Sequence, residues 1–436
     1  MPATQPFAFH ALRLFPMVLV LLMSSLAVTG LVHRADASQQ WPQWRGPEAN
    51  GVAEGDSYPT QWTTSENVVW KFELPGIGAS TPVIWDDSIV LTLEKDGRNT
   101  VISLDRQGNP KWETTLGRLA AARNRKASGT NPSPVTDGEH IWVYFKSGEL
   151  ACLDMEGKEV WNKNLQQAYG ADTLWWDLGT SPVLTESHVV VACMQTGPSY
   201  LVAFDKKTGE EAWKQDRMVD APGESAQSYT TPLVIRAGDE ELLIVLGADH
   251  VTAHEAKTGR QRWIAGNLNP RRAGNWRSIS SPVVGNGMVF APYARGGSMT
   301  AIRLGGENDV TRSHVVWSNT GPAADVPTPV AHDGKLYVVT DRGQVAVMEM
   351  ESGRTLSRLE LPRRRDAYSA SPVLAGGHLY LTNEDGTIFV VSVEKDQLEL
   401  VSENAMEDFA VATPVFLDGR IYIRTDSHLY CIGSAD

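Results

Sequence analysis

The chain has 436 residues, of which 42% are hydrophobic and 21% are charged, so it has enough apolar material for a packed core and is not a disordered chain. Its 52 acidic residues outnumber its 39 lysines and arginines, and the formal net charge is −13. This balance argues against a dedicated nucleic-acid-binding protein, which normally presents a strongly basic surface. The 38 glycines and 14 tryptophans need a structural explanation.

The first 37 residues have the pattern of an export signal. Arg13 precedes an apolar run that begins at Leu14, and Ala35-Asp36-Ala37 supplies an A-x-A cleavage pattern. We therefore expect a signal peptide at residues 1–37, cleavage near Ala37, and a periplasmic or secreted protein. The alternative is an uncleaved membrane anchor, because the apolar stretch is close to the roughly 20 residues that a spanning helix needs. No cysteine precedes Cys152, so no lipid anchor is expected.

A Ser/Thr-Pro-Val/Leu tripeptide occurs eight times, at intervals of 42 to 52 residues, and this repeat predicts the fold. Its prolines are Pro82, Pro134, Pro182, Pro232, Pro282, Pro329, Pro372 and Pro414. A period in the forties with several short apolar runs per unit is typical of a propeller. Each unit holds four such runs, separated by tight-turn pairs such as Asp137-Gly138 and Asn286-Gly287 that favour hairpins.

The two ends of the repeat array complement each other. The last unit stops after three strands, and residues 67–74 form an isolated strand ahead of the first repeat. If that strand completes the last unit, the ring closes and leaves no open edge between units. The sequence thus predicts an all-β, eight-bladed β-propeller of four-stranded antiparallel blades over residues 67–436, preceded by an N-terminal extension at residues 38–66.

Most units end in a strand with one tryptophan at a fixed offset after the third turn, as in Thr208-Gly209-Glu210-Glu211-Ala212-Trp213. A large flat side chain repeated on the outermost strand is well suited to packing between neighbouring blades. We assign this structural role to Trp70, Trp112, Trp161, Trp213, Trp263 and Trp317.

The units Ala203–Trp213 and Ala253–Trp263, and the opening Trp41-Pro42-Gln43-Trp44-Arg45-Gly46-Pro47, resemble the PQQ-type β-propeller repeat family. The resemblance spans residues 41–436. It implies an eight-bladed propeller, since the family includes the quinoprotein alcohol dehydrogenases and the non-catalytic propeller lipoproteins of outer-membrane assembly. It does not specify an activity, because fold and function separate freely.

The resemblance also implies what a dehydrogenase of this family needs: a quinone stacked between a tryptophan and a ring of two adjacent, disulfide-linked cysteines, with Ca²⁺ held by oxygen ligands. Cys152, Cys193 and Cys431 are never adjacent, and there is no C-x-x-C-H haem site. PQQ with Ca²⁺ is therefore disfavoured, and we predict no cofactor and no metal. His250 and His254 lie four residues apart without a third ligand near them in sequence, so we expect them to face solvent.

Long segments join each unit to the next, and a four-stranded meander places them all on one face, here called the long-loop face; the opposite face holds the tight turns. Long ordered loops on a rigid scaffold commonly display binding groups. Several of these loops combine arginines with aromatic residues, which suits an anionic or planar ligand or an acidic partner surface. The candidate binding residues are Arg123, Arg125, Lys126, Trp175, Trp176, Asp177, Tyr229, Arg271, Arg272, Trp276, Arg277, Arg363, Arg364, Arg365 and Tyr368.

An alternative interpretation of the basic loops is a network of solvated ion pairs. In that case the arginines pair with loop carboxylates such as Asp172, Asp220, Glu224 and Asp366. If instead they bind a ligand, replacing Trp276 and Arg277 together by alanine should abolish binding and leave the Tm nearly unchanged.

The sequence therefore predicts an extracytoplasmic, non-catalytic propeller that binds a protein partner or a small anionic or planar ligand at its long-loop face. Two alternatives stay open: a PQQ-dependent dehydrogenase with an atypical site, and an envelope scaffold that assists outer-membrane assembly. Nucleic acid is not an expected partner, and a membrane is expected as a partner only if the signal segment stays uncleaved.

Overall fold

The computed structural model describes residues 40–434, which form eight antiparallel sheets arranged as an eight-bladed β-propeller, as predicted. The strands of each blade are given from innermost to outermost. Blade 1 comprises Val83–Trp85, Ser88–Lys95, Arg98–Leu104 and Pro110–Arg118, and blade 2 comprises Val135–Thr136, His140–Tyr144, Glu149–Asp154 and Glu159–Asn164. Blade 3 comprises Val183–Leu184, His188–Cys193, Tyr200–Asp205 and Glu211–Asp216, and blade 4 comprises Leu233–Ala237, Glu240–Gly247, His250–Glu255 and Gln261–Ala265. Blade 5 comprises Val283–Gly285, Met288–Tyr293, Ser298–Arg303 and Val315–Asn319, and blade 6 comprises Val330–His332, Lys335–Val339, Gln344–Glu349 and Thr355–Glu360. Blade 7 comprises Val373–Ala375, His378–Thr382, Thr387–Glu394 and Gln397–Ala405, and blade 8 comprises Val415–Leu417, Arg420–Arg424, His428–Ile432 and Val68–Glu73.

The N-terminal strand closes the ring in the last blade. Val68–Glu73 pairs antiparallel with His428–Ile432, with Trp70 opposite Cys431. This confirms the predicted closure. The signal peptide predicted at residues 1–37 lies outside the described residues. Within the described range no helix is long and apolar enough to cross a membrane.

Four short elements supplement the blades. The strand Gln40–Trp41 pairs with the innermost strand of blade 1, and Asn308–Asp309 runs parallel to the outermost strand of blade 4. An α-helix spans Leu165–Tyr169, and a 3-10 helix spans Gly223–Ala226.

The hydrophobic core lies between the blades. The second and third strands of each blade are almost entirely buried, because neighbouring blades cover both faces of each sheet. In blade 3, for example, Val189, Val190 and Val191 are all 0% exposed. The outermost strand alternates between exposed and half-buried residues, as in Glu211–Asp216.

The repeated Ser/Thr-Pro tripeptide forms a ring of hydrogen bonds around the channel. Every hydroxyl of the series except that of Thr81 accepts a bond from the backbone N–H of the equivalent residue in the preceding blade; Ser181 Oγ, for instance, lies 2.9 Å from Ser133 N. Seven such bonds join successive members of the series Thr81, Ser133, Ser181, Thr231, Ser281, Thr328, Ser371 and Thr413. The proline that follows has no N–H, which suits an edge strand without a partner on its inner side.

The junction between blades 8 and 1 has its own bridge. Arg424, on the second strand of blade 8, donates from Nη1 to the Ser80 carbonyl at 3.0 Å and to the Ser80 hydroxyl at 2.6 Å. The guanidinium is buried away from solvent, which lowers the pKa of Arg424 to about 9. The Arg424 side chain thus joins the inner strands of the last blade to the segment that enters the first.

Five of the six repeat tryptophans contact the next blade in the same way. Each indole N–H donates to a backbone carbonyl in the third turn of that blade, at 2.8 to 3.1 Å. The donor–acceptor pairs are Trp70–Arg106, Trp112–Met155, Trp161–Lys206, Trp213–Ala256 and Trp317–Met350. The glycine of the turn packs on the indole: a Cβ added to Gly259, whose φ is +74°, would lie 2.4 Å from the Trp213 ring.

Trp263 makes a different contact. Its strand pairs with Asn308–Asp309, which belongs to a longer segment that replaces the third turn of blade 5. Trp263 lies opposite Asn308 and is 1% exposed, but its indole N–H has no hydrogen-bond partner among residues 40–434.

Residues 40–62, here called the strap, cross the tight-turn face of the ring. The strap contacts blade 2 through the Pro42 carbonyl, which accepts a bond from Thr136 N, and blade 7 through Ala53 N, which donates to the Leu374 carbonyl. Farther along, the backbone at Asp56 lies against the tight-turn residue Gly376 of blade 7. The strap therefore covers the end of the channel opposite the long loops.

Candidate functional site

A central cavity of about 440 Å³ occupies the long-loop end of the channel. Every inter-blade segment contributes to its wall. One lining residue from each segment, in ring order, is Ala79, Asn124, Trp176, Tyr229, Arg277, Val326, Ser369 and Val411. Below this layer lie the hydroxyls of the Ser/Thr ring, and Trp44 of the strap forms the floor. The strap thus makes the channel a blind cavity that opens toward the long loops.

The fold brings together one third of the candidate binding residues. Those that line the central cavity are Lys126, Trp176, Asp177, Tyr229 and Arg277. Those that do not line it are Arg123, Arg125, Trp175, Arg271, Arg272, Trp276, Arg363, Arg364, Arg365 and Tyr368.

Asp177 ties two long loops together. Its carboxylate forms a buried ion pair with Lys146 and accepts hydrogen bonds from the backbone N–H groups of Arg123 and Asn124. Lys146 also donates to the Ala121 carbonyl at 2.7 Å. The Lys146 contribution was missed by the sequence analysis; the signal available was a lysine directly after the buried run that ends at Phe145. Asp177 is therefore a structural anchor of the wall.

Arg277 joins four long loops. Its Nη2 lies 3.1 Å from Asp325 Oδ2, its Nε lies 3.4 Å from Glu224 Oε1, and its guanidinium lies 5.6 Å from the centre of the Trp176 ring. Trp176 in turn donates its indole N–H to Glu224 at 2.6 Å. Burial raises the pKa of Asp325, and the neighbouring Arg277 opposes this shift.

These contacts correct the expectation that Arg277 can be removed without loss of stability. The Arg277 side chain is only 8% exposed and neutralises two largely buried carboxylates. Its loss would leave Glu224 without a cation and Asp325 with only the 3.7 Å contact to Arg295, in a poorly solvated environment.

Lys126 is held by a carboxylate behind the cavity wall. Its Nζ lies 2.8 Å from Oε1 of Glu384, whose side chain is 0% exposed, and Ser369 donates to the same oxygen. Glu384 was missed by the sequence analysis. It occurs in the polar turn Asn383–Gly386, which is typical of a solvated loop, and only the curvature of the ring places it beneath Lys126.

Three of the seven candidate arginines outside the cavity wall follow the ion-pair alternative. Arg272 lies 2.9 Å from Asp220, and Arg125 lies 3.6 Å from Asp366. Arg364 lies 2.6 Å from Glu403, a carboxylate the sequence analysis did not select. The positive charge of these loops is therefore compensated locally only in part.

The remaining predicted basic residues have no such partners. Arg271, Arg363 and Arg365 are exposed and form no ion pair within the described range. Asp172, one of the carboxylates considered, forms no ion pair there and accepts a bond from Leu174 N.

The loop aromatic residues divide by exposure. Trp175 is 58% exposed and Trp176 is 42% exposed, whereas Trp276 packs edge-on against Tyr293 with its ring centre 6.4 Å away. Tyr368 is 2% exposed, so the interpretation of this residue as part of a displayed binding surface is wrong. It is buried because the inter-blade segment turns inward at this point and packs the ring against Phe389 and Gly343.

Comparison with known proteins identifies the family. The sequence profile described as outer membrane protein assembly factor BamB matches residues 60–195 and 173–397, which is most of the chain. The chain belongs to this family. Outer membrane protein assembly factor BamB of Yersinia pestis is 21% identical over 79% of this chain and 81% of its own length. The protein of the same name from Escherichia coli strain K12 is 27% identical over 35% of this chain and 36% of its own length.

Solved structures agree with the fold. BamB from Moraxella catarrhalis superposes with a TM-score of 0.59 at 16% identity, over 84% of this chain and 97% of that one. A europium-containing methanol dehydrogenase superposes with a TM-score of 0.67 at 11% identity, over 90% of this chain and 97% of that one. At such identities the likeness shows the propeller fold alone, which enzymes share with the BamB family.

The residues of this BamB-family cavity do not fit the quinone site implied by the dehydrogenases. Cys152, Cys193 and Cys431 are free thiols in three different blades, and none of them lines the cavity. Within residues 40–434 no group of three His, Cys, Asp or Glu side chains could hold a metal ion. We therefore derive no redox step through this site.

The histidine pair also differs from expectation. His254 was expected to face solvent but is 0% exposed, because the third strand of blade 4 is covered on both faces. Its Nδ1 lies 3.0 Å from the Gly259 carbonyl and its Nε2 lies 3.0 Å from Thr252 Oγ1. Burial lowers the pKa of His254 to about 4. His250 is partly buried at the start of the same strand.

Proposed function

We propose that this chain is an extracytoplasmic, non-catalytic propeller that binds a protein partner through its long-loop face and takes part in outer-membrane protein assembly. Membership of the BamB family carries this proposal. The names of the relatives support a role in outer-membrane assembly, and the export signal expected at residues 1–37 is consistent with an extracytoplasmic location.

Two exposed apolar side chains beside the cavity favour the long-loop face as the docking surface. Trp175 is 58% exposed and Met218 is 66% exposed, on the loops that precede and follow blade 3. Trp175 is held in place by its backbone N–H, which donates to Gln227 Oε1, and Met218 Sδ accepts a bond from Ser199 N. Large apolar side chains presented on an ordered rim are typical of protein interfaces.

Site-specific photocrosslinking in living cells tests the docking surface. A photoreactive amino acid at position 175 or 218 should trap one envelope protein, identified by mass spectrometry as an outer-membrane assembly component. The same amino acid at Val160, which is 44% exposed on the outermost strand of blade 2, is the matched control and should trap none. Equal crosslinking at all three positions would contradict the proposed surface.

The dehydrogenase alternative is tested by reconstitution. We expect the purified protein to retain no PQQ after incubation with PQQ and Ca²⁺, and to show no alcohol- or sugar-dependent dye reduction. Cofactor retention with turnover would overturn the non-catalytic assignment.

A further inference from the structure

We infer that the central cavity is a binding site for a neutral saccharide ring. This goes beyond the proposed function, which concerns exposed residues outside the cavity. The cavity volume of about 440 Å³ falls within the range of about 300–1,000 Å³ that small-molecule sites occupy. Because the strap covers the opposite end of the channel, a ligand enters from the long-loop face.

The charges of the wall do not favour an anion or a cation. Lys126 is paired with Glu384, Asp177 is paired with Lys146, and Arg277 is paired with two carboxylates. Each charged side chain that lines the cavity therefore already has an opposite charge within contact distance. A ligand that brings its own net charge would have to compete with these pairs, whereas a neutral polar ligand would not.

The hydroxyl ring offers the hydrogen-bonding pattern that sugar hydroxyls require. The ring members that line the cavity are Thr81, Ser133, Ser181, Thr231, Ser281, Thr328 and Thr413. Among the residues that the structure describes, none of these hydroxyls donates a hydrogen bond, although six of them accept one from a neighbouring ring N–H. Each of these hydroxyls can therefore donate one bond, and each except that of Thr413, which also accepts a bond from Trp44 Nε1, can accept another, as a sugar hydroxyl does.

A tryptophan and a free amide complete the site. Trp44 lines both this cavity and a smaller one of about 90 Å³ beneath it, and with the ring residues Ser181, Thr231, Ser281 and Thr328, which also line both, it separates the two. Its Nε1 is directed to Thr413 Oγ1 at 3.4 Å, which fixes the indole. An aromatic face is a large apolar surface, and the C–H face of a pyranose ring is its natural complement. Asn124 lines the wall, and its side-chain amide has no partner in the described part of the chain.

Ligand-observed NMR and calorimetry on the full mature chain test the inference. The probes are glucose, maltose and N,N′-diacetylchitobiose, with glucuronate as the charged analogue of glucose. We expect at least one neutral probe to bind at about 10 mM or below and glucuronate to bind more weakly than glucose. Failure of all three neutral probes at that concentration would overturn the inference, as would tighter binding of glucuronate.

Variants locate the site. Trp44→Ala and Asn124→Ala should each weaken binding about tenfold or more, while Trp44→Phe, which keeps an aromatic floor, should weaken it less than Trp44→Ala. Trp175→Ala is the matched control, because this indole is exposed outside the cavity, and its binding should stay within about twofold of the wild type.

Asn124→Ala keeps the site testable if the Trp44 variants fail to fold. This substitution removes no side-chain hydrogen bond within the described range, so the variant should fold like the wild type. Saccharide binding that survives this substitution and Trp44→Ala would contradict the site. Crosslinking at position 175 should persist in Asn124→Ala, so a failure of the saccharide site is distinguishable from a failure of the partner surface.

Discussion

The Thr-Gly turn of one blade and the tryptophan of the preceding blade form a single contact. Glycine is needed there for two reasons, its positive φ and the indole that lies where a Cβ would be. The sequence predicts the tryptophans as blade-packing residues from their periodicity. It does not predict the hydrogen bond of each indole to a backbone carbonyl, because that carbonyl belongs to another repeat unit.

Replacing Gly259 by alanine tests this contact. We expect Gly259→Ala to lower the free energy of unfolding by about 2–4 kcal/mol, from the strain of a positive φ and the overlap with Trp213. Gly287→Ala is the matched control, since Gly287 has a φ of +70° and nothing within 4 Å of an added Cβ. It should cost only about 1 kcal/mol in urea denaturation. Equal losses would show that the indole contact contributes nothing.

Arg277 and Arg271 make a second matched pair. We expect Arg277→Ala to destabilise the protein by about 3–5 kcal/mol, because Glu224 loses its cation and Asp325 keeps only the longer contact to Arg295 while both carboxylates stay largely buried. Arg271→Ala, at an exposed residue, should change stability by about 0.5 kcal/mol or less. Thermal and chemical denaturation measure both. Similar stabilities for the two variants would contradict the structural role of Arg277.

The sequence alone does not predict which loop arginines form ion pairs. Arg277, Arg271 and Arg363 look alike in the sequence, as arginines on long polar loops. Only the arrangement of neighbouring blades decides that Arg277 meets two carboxylates while the other two stay exposed. Glu384 and Lys146 were missed for the same reason, since their partners come from other blades.

At the scale of the strand, the ring of Ser/Thr hydroxyls gives the repeat its physical meaning. Ser181→Ala removes the acceptor of the Ser133 N–H, and we expect a loss of about 1–3 kcal/mol from the unsatisfied buried donor. Ser181→Thr is the matched control, because threonine serves at four ring positions and keeps the hydroxyl. Urea denaturation compares the two. If alanine is tolerated as well as threonine, the ring bond is not a source of stability.

The third strand of blade 4 contains a buried histidine whose protonation should change the stability of the protein. His254 has a folded-state pKa of about 4, below its usual 6.5, so the unfolded chain binds more protons between these values. Stability should therefore fall as pH is lowered from about 6.5 to 4, by up to about 3 kcal/mol from this residue. His254→Gln cannot take up the proton and should lose less stability over that range. An identical pH dependence for both proteins would contradict the burial of a neutral imidazole.

Strands and their closure into a ring are predictable from the sequence, because alternating turns and short β-branched runs act locally. The strap was not predicted. Its residues show no strand or helix periodicity, and its contacts lie on distant blades, such as Thr136 and Leu374. Trp44 was therefore assigned only to a family resemblance, although the structure makes it the floor of the central cavity.

For the whole molecule, the positive charge of the long loops is balanced by a nearby carboxylate at some residues, such as Arg272 and Arg364, and is unpaired within the described range at others, such as Arg271 and Arg363. The candidate site changes accordingly, from a basic surface suited to an anion to a charge-compensated cavity lined by hydroxyls. The proposed partner surface and the proposed saccharide site lie apart: exposed apolar residues such as Trp175 and Met218 lie outside the cavity, and Trp44 lies at its base.

The most direct test of the proposed function is the amount of outer-membrane β-barrel proteins in cells that lack this chain, measured by quantitative proteomics. We predict that these proteins decrease, and that the wild type and Val160→Ala restore them. The double variant Trp175→Ala with Met218→Ala, present at wild-type levels, should not restore them. Unchanged β-barrel protein levels in the absence of the chain would contradict a role in outer-membrane assembly.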